Sequence, residues 1–174
     1  EISFPGYASA IASISGGGGG GFTMKQVIEG TAFSTNLYDE SASYVASYTF
    51  TNKPIETVNL PSCTDVNEQA FFSCSTLSQV SLPVCSFIGD QAFASCSLTV
   101  LNLPSCSYIG NYAFMDNSNL SEISIPVCSY IGNYAFNNCG LISVNLSNQQ
   151  LSIGVQAFAN CSSLTTVSLP NCTF

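Results

Sequence analysis

The sequence predicts a β-rich repeat solenoid, a fold in which short parallel strands stack coil upon coil. An apolar run of the form Leu-x-x-Val-x-Leu recurs about every 22 residues, led in turn by Ile55, Leu77, Leu98, Leu120, Leu141 and Leu164. A second pattern, Ile-Gly-x-x-Ala-Phe, follows these runs in register. Periods of roughly 20–29 residues are typical of stacked-repeat proteins. Because such proteins act through extended surfaces, the period directs the search for function to a surface rather than a pocket.

Each repeat divides into two halves. The last three positions of the apolar run alternate, so Val and the final Leu are expected to face the core and the residue between them the solvent. A proline follows the run in five repeats and should end the strand, because it cannot donate to a ladder; these are Pro61, Pro83, Pro104, Pro126 and Pro170. The Ile-Gly half predicts a short or irregular opposite wall, with glycine permitting a tight bend.

The chain divides into three segments, of which the last forms the solenoid. Residues 1–26 form an N-terminal segment whose six consecutive glycines, 16–21, are typical of a flexible linker. Residues 27–50 are β-prone and irregular, and we expect them to cap the first coil. Residues 51–174 make about six coils, the last of them incomplete. At about 4.8 Å a coil, the stack would be on the order of 30 Å long.

The composition argues against several partners. Charged residues make up 7% of the 174-residue chain and the net charge is −8, with two basic residues in all. Binding to phosphate backbones depends on clustered Lys and Arg, so we expect no nucleic acid partner. Anionic membrane surfaces are disfavoured for the same reason. No apolar stretch reaches the roughly 20 residues needed to cross a bilayer, and we expect no membrane insertion.

The combined motif Leu-Pro-x-Cys-x-x-Ile-Gly-x-x-Ala-Phe-x-x-Cys-x-x-Leu resembles the BspA-like leucine-rich repeat across roughly residues 45–174. The resemblance implies a right-handed leucine-rich-repeat superhelix. It also implies a cell-surface or secreted protein of bacteria or their prophages that adheres to host molecules or other cells. The chain departs from the pattern at Ser147, where proline is expected, and at Asn117, where cysteine is expected. Residues 1–26 match no part of it.

Nine cysteines occupy two repeat positions. One follows the strand by three residues and contains Cys63, Cys85, Cys106, Cys128 and Cys172, whereas the other follows the Phe by three and contains Cys74, Cys96, Cys139 and Cys161. Since relatives usually carry an aliphatic residue at the first position, the resemblance favours buried thiols that act as small hydrophobic side chains. Disulfides between stacked neighbours, about 5 Å apart, stay an alternative that the odd count disfavours. We expect no metal, because the chain lacks histidine and Cys-x-x-Cys pairs.

Candidate catalytic residues are few. The chain has no His or Trp, so acid-base chemistry would depend on carboxylates, tyrosines or the two basic residues. Asp90, Asp116 and Glu122 each occur once, without a repeated partner. No nucleophile motif or phosphate-binding loop accompanies them. We therefore predict that the protein is not an enzyme and needs no cofactor.

Two surface ladders are the candidate binding residues. The first consists of outward strand residues, among them Gln79, Asn102, Glu122 and Asn145, and forms a polar strip with little charge. The second is aromatic, with Phe87, Tyr108 and Tyr130 before the Ile and Tyr112 and Tyr134 before the Ala. Tyrosine is favoured at interfaces because it combines apolar area with a polar tip. Both ladders could equally stabilise the stack without any partner.

The sequence thus predicts a non-catalytic binding or adhesion module, extracellular or on a cell surface, that presents its repeats to a protein or glycan. The alternative is a structural spacer in a larger surface or phage-tail protein, with no ligand of its own. Self-association through the last coil, around Leu164, Val167 and Leu169, could accompany either function.

Overall fold

The computed structural model describes residues 36–146 and 151–168, which form thirteen β-strands and no helix. Every strand pair is parallel. Seven strands have three residues: β1 Asn36–Tyr38, β3 Thr57–Asn59, β5 Gln79–Ser81, β7 Val100–Asn102, β9 Glu122–Ser124, β11 Ser143–Asn145 and β13 Thr166–Ser168. Six have two residues: β2 Tyr44–Val45, β4 Asp65–Val66, β6 Phe87–Ile88, β8 Tyr108–Ile109, β10 Tyr130–Ile131 and β12 Ser152–Ile153. The two kinds alternate along the chain, one of each per coil.

The coils therefore have two walls. The three-residue strands form the first wall, and we call their outward side chains the strand face. The two-residue strands form one continuous six-stranded sheet in the order β12-β10-β8-β6-β4-β2. We call this sheet, together with the turn that follows each of its strands as far as the next phenylalanine, the turn wall. The predicted parallel-strand solenoid with a short-strand opposite wall is confirmed.

The strand alternation follows the predicted pattern. In β3, Val58 and the following Leu60 are buried, whereas Asn59 between them is exposed. The strands end two residues before Pro61, Pro83, Pro104 and Pro126, as expected of a residue that cannot donate to a ladder. Pro170 and Ser147 lie outside the described residues.

The chain forms a coil earlier than the apolar runs indicate. Strands β1 and β2, from the segment expected to be an irregular cap, pair in register with β3 and β4. Leu37 and Val45 are buried opposite Val58 and Val66, and Phe50 stacks on Phe71. The described part of that segment therefore has the strand pairing of a coil, although it lacks the full apolar motif. Residues 1–26 lie outside the described residues.

A single column of phenylalanines runs through the core. Phe50, Phe71, Phe93, Phe114, Phe136 and Phe158 stack with centroids 5.1 to 5.5 Å apart and planes within 15° of parallel. All except Phe158 are buried. Offset stacks of this kind add about 0.5–1.5 kcal/mol per pair to the burial of apolar area. The column places one phenylalanine in each of these six coils and joins them into one core.

The glycine of the Ile-Gly pattern has a different role from the one predicted. A Cβ built on Gly132 would lie 2.6 Å from the backbone nitrogen of Asn111 and 2.6 Å from the carbonyl carbon of Gly110. A Cβ on Gly154 would meet the backbone nitrogen of Asn133 at 2.5 Å. None of these glycines needs a left-handed backbone. Glycine is therefore required because adjacent coils approach each other closely here, and not to make a bend.

Candidate binding surface

The strand face presents two columns of side chains. From β3 to β13, the first strand positions carry Thr57, Gln79, Val100, Glu122, Ser143 and Thr166, and the third positions carry Asn59, Ser81, Asn102, Ser124, Asn145 and Ser168. All but Thr57 are exposed. The four strand residues selected from the sequence, Gln79, Asn102, Glu122 and Asn145, lie together on this face. In the third column asparagine and serine alternate from coil to coil.

The side chains of the asparagines in this column are not used to hold the coils together. Within residues 36–146 and 151–168, no hydrogen bond is formed by the side-chain amides of Asn59, Asn102 or Asn145. The amide of Gln79 is also without a partner there. These groups are free to donate to and accept from a ligand.

The hydrogen-bond ladder beneath this face is interrupted twice. Strands β1, β3 and β5 form one sheet, β7 and β9 a second, and β11 and β13 a third. In each neighbouring pair we call the strand that comes first in the chain the lower strand and the other the upper strand. Where strands are paired, the residue after the lower strand donates its N–H to a carbonyl of the upper strand: Leu60 to Ser81 at 3.0 Å, Leu103 to Ser124 at 2.9 Å and Leu146 to Ser168 at 3.0 Å. At the interruptions the equivalent N–H groups of Leu82 and Ile125 have no acceptor among the described residues.

The interruptions also expose apolar side chains. Val80 and Ile123, the central residues below the two interruptions, are only half-buried, whereas Val58 and Val144 are buried. Val100 beside the first interruption is 51% exposed and Ile142 beside the second is 54% exposed. Each interruption therefore combines unused backbone groups, a Ser and an Asn side chain, and a small apolar surface.

The aromatic ladder lies on the turn wall and not on the strand face. Phe87, Tyr108 and Tyr130 are half-buried on β6, β8 and β10, with successive centroids 5.0 and 4.7 Å apart. Tyr112 and Tyr134 stack separately at 5.1 Å with planes 1° from parallel. Because neighbouring rings cover each other's faces, the inner rings offer edges and hydroxyl groups rather than open aromatic faces.

The two stacked tyrosines have a strained backbone. Tyr112 and Tyr134 have φ of 56° and 55°, in the left-handed region that glycine and asparagine favour. Gln69, Gln91 and Gln156 have the same conformation at the same repeat position. Nothing in the motif predicted this conformation, because Tyr and Gln are not turn-forming residues. The same strained conformation therefore recurs along the turn wall, whether or not the residue at this position is aromatic.

Amide and carboxylate side chains of the turn wall bind the next coil. Asp90 accepts two hydrogen bonds from Asn111. Its Oδ1 accepts the backbone N–H of Asn111 at 2.8 Å, and its Oδ2 accepts the side-chain amide of Asn111 at 3.1 Å. Asn111 Oδ1 in turn accepts the N–H of Asn133 at 2.9 Å, and Asn133 Oδ1 accepts the N–H of Val155 at 2.7 Å. The candidate carboxylate Asp90 therefore has a structural partner.

The cysteines also form structural hydrogen bonds. Cys96, Cys139 and Cys161 donate their thiols to the phenylalanine carbonyl of the preceding coil at 3.2 to 3.3 Å. Asn117, which departs from the motif in this column, is buried and donates its amide to Phe93 and Phe114 carbonyls. An amide therefore replaces a thiol here without loss of the contact between coils.

The thiols are buried and weakly acidic. No disulfide joins any of the eight cysteines that the structure describes. Burial is the largest cause that raises the pKa of Cys63 and Cys128 to about 11 and that of Cys106 and Cys139 to about 12. The thiolate needed for nucleophilic or metal chemistry is therefore disfavoured. Cys172 lies outside the described residues.

Neither a metal centre nor a membrane span is found in the described part of the chain. Residues 36–146 and 151–168 contain no group of three His, Cys, Asp or Glu side chains that could hold a metal ion. The same residues include no helix able to cross a membrane.

Known proteins share this architecture. A leucine-rich repeat protein from Bacteroides ovatus has 24% identity and a TM-score of 0.60, over 72% of this chain and 40% of that one. A leucine rich cell surface protein from Faecalibacterium prausnitzii has 20% identity and a TM-score of 0.54, over 75% of this chain and 43% of that one. This chain thus spans less than half the length of either crystal structure, and at these identities the likeness concerns the fold. No curated protein matches the chain.

The repeat itself identifies the family. Residues 43–165 match six copies of the BspA type leucine rich repeat region. This range runs from just before β2 to just before β13 and includes the leading residues of all six apolar runs, from Ile55 to Leu164. The resemblance noted in the sequence is confirmed, and the chain belongs to the BspA type leucine-rich repeat family.

Proposed function

We propose that this chain is a non-catalytic binding module of the cell surface or extracellular space, which presents its strand face to a protein or glycan. The observation that supports this best is the difference in how the two walls use their polar groups. Side chains of the turn wall bind the neighbouring coil, whereas the strand-face amides of Asn59, Asn102 and Asn145 have no partner in the described residues.

The rigidity of the surface supports the same function. The face is backed by the continuous six-stranded sheet of the turn wall and by the phenylalanine column, so its side chains are positioned before a ligand arrives. Pre-ordering reduces the entropy lost on binding. Many weak contacts along the columns could then add to a useful affinity without a deep pocket.

The cell-surface assignment comes from the family. BspA type repeats are typical of surface proteins, and the Faecalibacterium neighbour is described as a cell surface protein. The buried, weakly acidic thiols are consistent with a role in packing rather than in chemistry. A binding role without catalysis follows most simply from these features.

A binding screen tests the proposal. The purified chain is applied to mucins, extracellular-matrix proteins and a glycan array, with the Tyr112→Ser/Tyr134→Ser double variant alongside. We expect at least one saturable partner, and we expect the variant to retain it when folded, since its rings lie on the turn wall. No binding in any of the three sets would contradict the proposal and favour a structural spacer.

Self-association stays a separate proposal. In the last described coil, Leu164 is half-buried, and Val155 and Val167 are 67% and 49% exposed; Leu169 lies outside the described residues. Such apolar side chains could pack against a second copy. Light scattering over a range of concentrations should show a rising mass, and a constant monomer mass would contradict self-association.

A further inference from the structure

The two interruptions of the strand-face ladder are equivalent in structure. In each, a serine of the lower strand and an asparagine of the upper strand flank a backbone N–H with no acceptor in the described residues. The first contains Ser81, Leu82 N–H and Asn102, and the second contains Ser124, Ile125 N–H and Asn145. We call these the two notches. They lie two coils apart, roughly 10 Å at twice the usual strand spacing.

The hydrogen bond that precedes each notch has the same length in both. Thr99 N–H donates to Ser78 O at 3.3 Å, and Ile142 N–H donates to Ser121 O at 3.3 Å. At paired strands the same bond is shorter, as between Ser121 N–H and Thr99 O at 3.0 Å. The separation of the coils thus recurs with the same geometry, so a ligand with a matching repeat would meet the same groups twice.

We propose that the two notches are equivalent subsites for an uncharged linear glycan that runs along the solenoid axis, with one disaccharide per notch. This rests on the proposed binding function and names its ligand class. Sugar hydroxyl groups both donate and accept, so they complement the Ser hydroxyl, the Asn amide and the backbone N–H of each notch. Val80 and Val100 at the first notch, and Ile123 and Ile142 at the second, offer an apolar contact to the ring carbons, although Ile142 lies at the repeat position of Thr99 and Ser143 at that of Val100.

Charge and spacing favour this ligand over others. The strand positions carry one charged side chain, Glu122, and no basic residue, so sulfated or uronic chains would find no counter-charge. An extended peptide repeats its side-chain direction about every 6.6 Å, which does not match a two-coil step of roughly 10 Å. Protein hot spots are enriched in Trp, Tyr and Arg, and the one such residue on the described strand face, Tyr38 on β1, lies in neither notch.

The test uses neutral, linear, β-linked oligosaccharides from disaccharide to octasaccharide, titrated into the full chain by calorimetry. We expect affinity to rise from disaccharide to tetrasaccharide, because the longer ligand reaches both notches. Asn102→Ala and Asn145→Ala should each weaken tetrasaccharide binding roughly two- to tenfold, the range expected for one lost hydrogen bond. Asn59→Ala is the matched comparison, because Asn59 lies in the same column on a paired strand, and it should weaken tetrasaccharide binding less than either notch variant.

Amide chemical shifts locate the ligand independently of any substitution. The N–H resonances of Leu82 and Ile125 should move on saturation, and those of Leu60 and Leu103 should stay. Equal losses from Asn59→Ala and Asn102→Ala, or no gain between disaccharide and tetrasaccharide, would overturn the notch assignment. If a matrix protein binds and no neutral oligosaccharide does, the notch assignment fails while the binding function stands.

Discussion

The strand face and the turn wall are built from the same repeat and the same polar residue types, but they use them differently. On the turn wall Asp90, Asn111 and Asn133 each accept a backbone N–H of the next coil. On the strand face Asn102 and Asn145 have no such partner among the described residues. A polar ladder is therefore not a binding site merely because it is polar and periodic. Its hydrogen bonds show whether it stabilises the stack or stays available to a ligand.

The contrast between the two walls also bears on the role of the aromatic ladder. Tyrosines in a row resemble a carbohydrate-binding platform in sequence, but here Tyr112 and Tyr134 stack face to face at 5.1 Å. Stacked rings of this kind stabilise the fold by about 0.5–1.5 kcal/mol per pair. The structure therefore favours a stabilising role for these rings and leaves the strand face as the better binding candidate.

The largest effect we expect is alkaline unfolding, because it acts on all the described thiols at once. Burial raises the pKa of Cys106 from 9.0 to about 12 and that of Cys63 from 9.0 to about 11. Above pH 9 the unfolded chain releases these protons while the folded chain keeps them. Stability is therefore fully present below pH 9 and is lost as pH rises toward the folded pKa values, by up to about 1.4 kcal/mol per pH unit for each thiol.

Urea unfolding measured at intervals from neutral to alkaline pH checks this dependence. The Cys106→Ala variant is the control, since it should lose stability at neutral pH but show a shallower alkaline decline than the parent. A free energy of unfolding that stays constant through this range would show that the thiols are not protonated and buried as described.

The phenylalanine column gives the next largest effect. Phe114 is fully buried between Phe93 and Phe136, and Phe114→Ala removes two stacked contacts and leaves a cavity. We expect a loss of about 3–5 kcal/mol in the free energy of unfolding, measured by chemical denaturation. Phe158→Ala should cost less, because that ring is only half-buried and stacks in the described residues on Phe136 alone.

A matched pair of asparagines sharpens the comparison between the two walls. Asn111→Ala should cost roughly 0.5–1.5 kcal/mol, because it removes the acceptor of Asn133 N–H and a donor to Asp90. Asn59→Ala should leave the free energy of unfolding unchanged, since its side chain holds no other coil. Equal losses in the two variants would show that the strand-face amides are structural as well.

The sequence predicted the repeating architecture well for a physical reason. Apolar spacing determines which residues face the core, and proline at Pro83 or Pro104 determines where a strand ends. These are local properties, so the three-residue strands appear at the predicted positions. The family assignment rests on the same residues and is confirmed.

Features that depend on how one coil sits on the next were not predictable. The connection from Phe93 to Leu98 is one residue shorter than that from Phe71 to Leu77. The strand that follows the shorter connection, β7, is not paired with β5. A similarly short connection precedes β3, where the ladder is continuous. Length alone therefore does not decide the interruption. The left-handed Tyr112 and the coil at residues 36–50 likewise follow from pairing with neighbours.

The most direct test of the account measures melting temperature and ligand binding for two double variants side by side. Asn102→Ala/Asn145→Ala changes the strand face, and Tyr112→Ser/Tyr134→Ser changes the turn wall. We predict that the strand-face variant keeps the melting temperature of the parent and loses affinity, whereas the tyrosine variant melts earlier and still binds below its transition. Lost binding in a stable tyrosine variant, with full binding in the strand-face variant, would contradict the account.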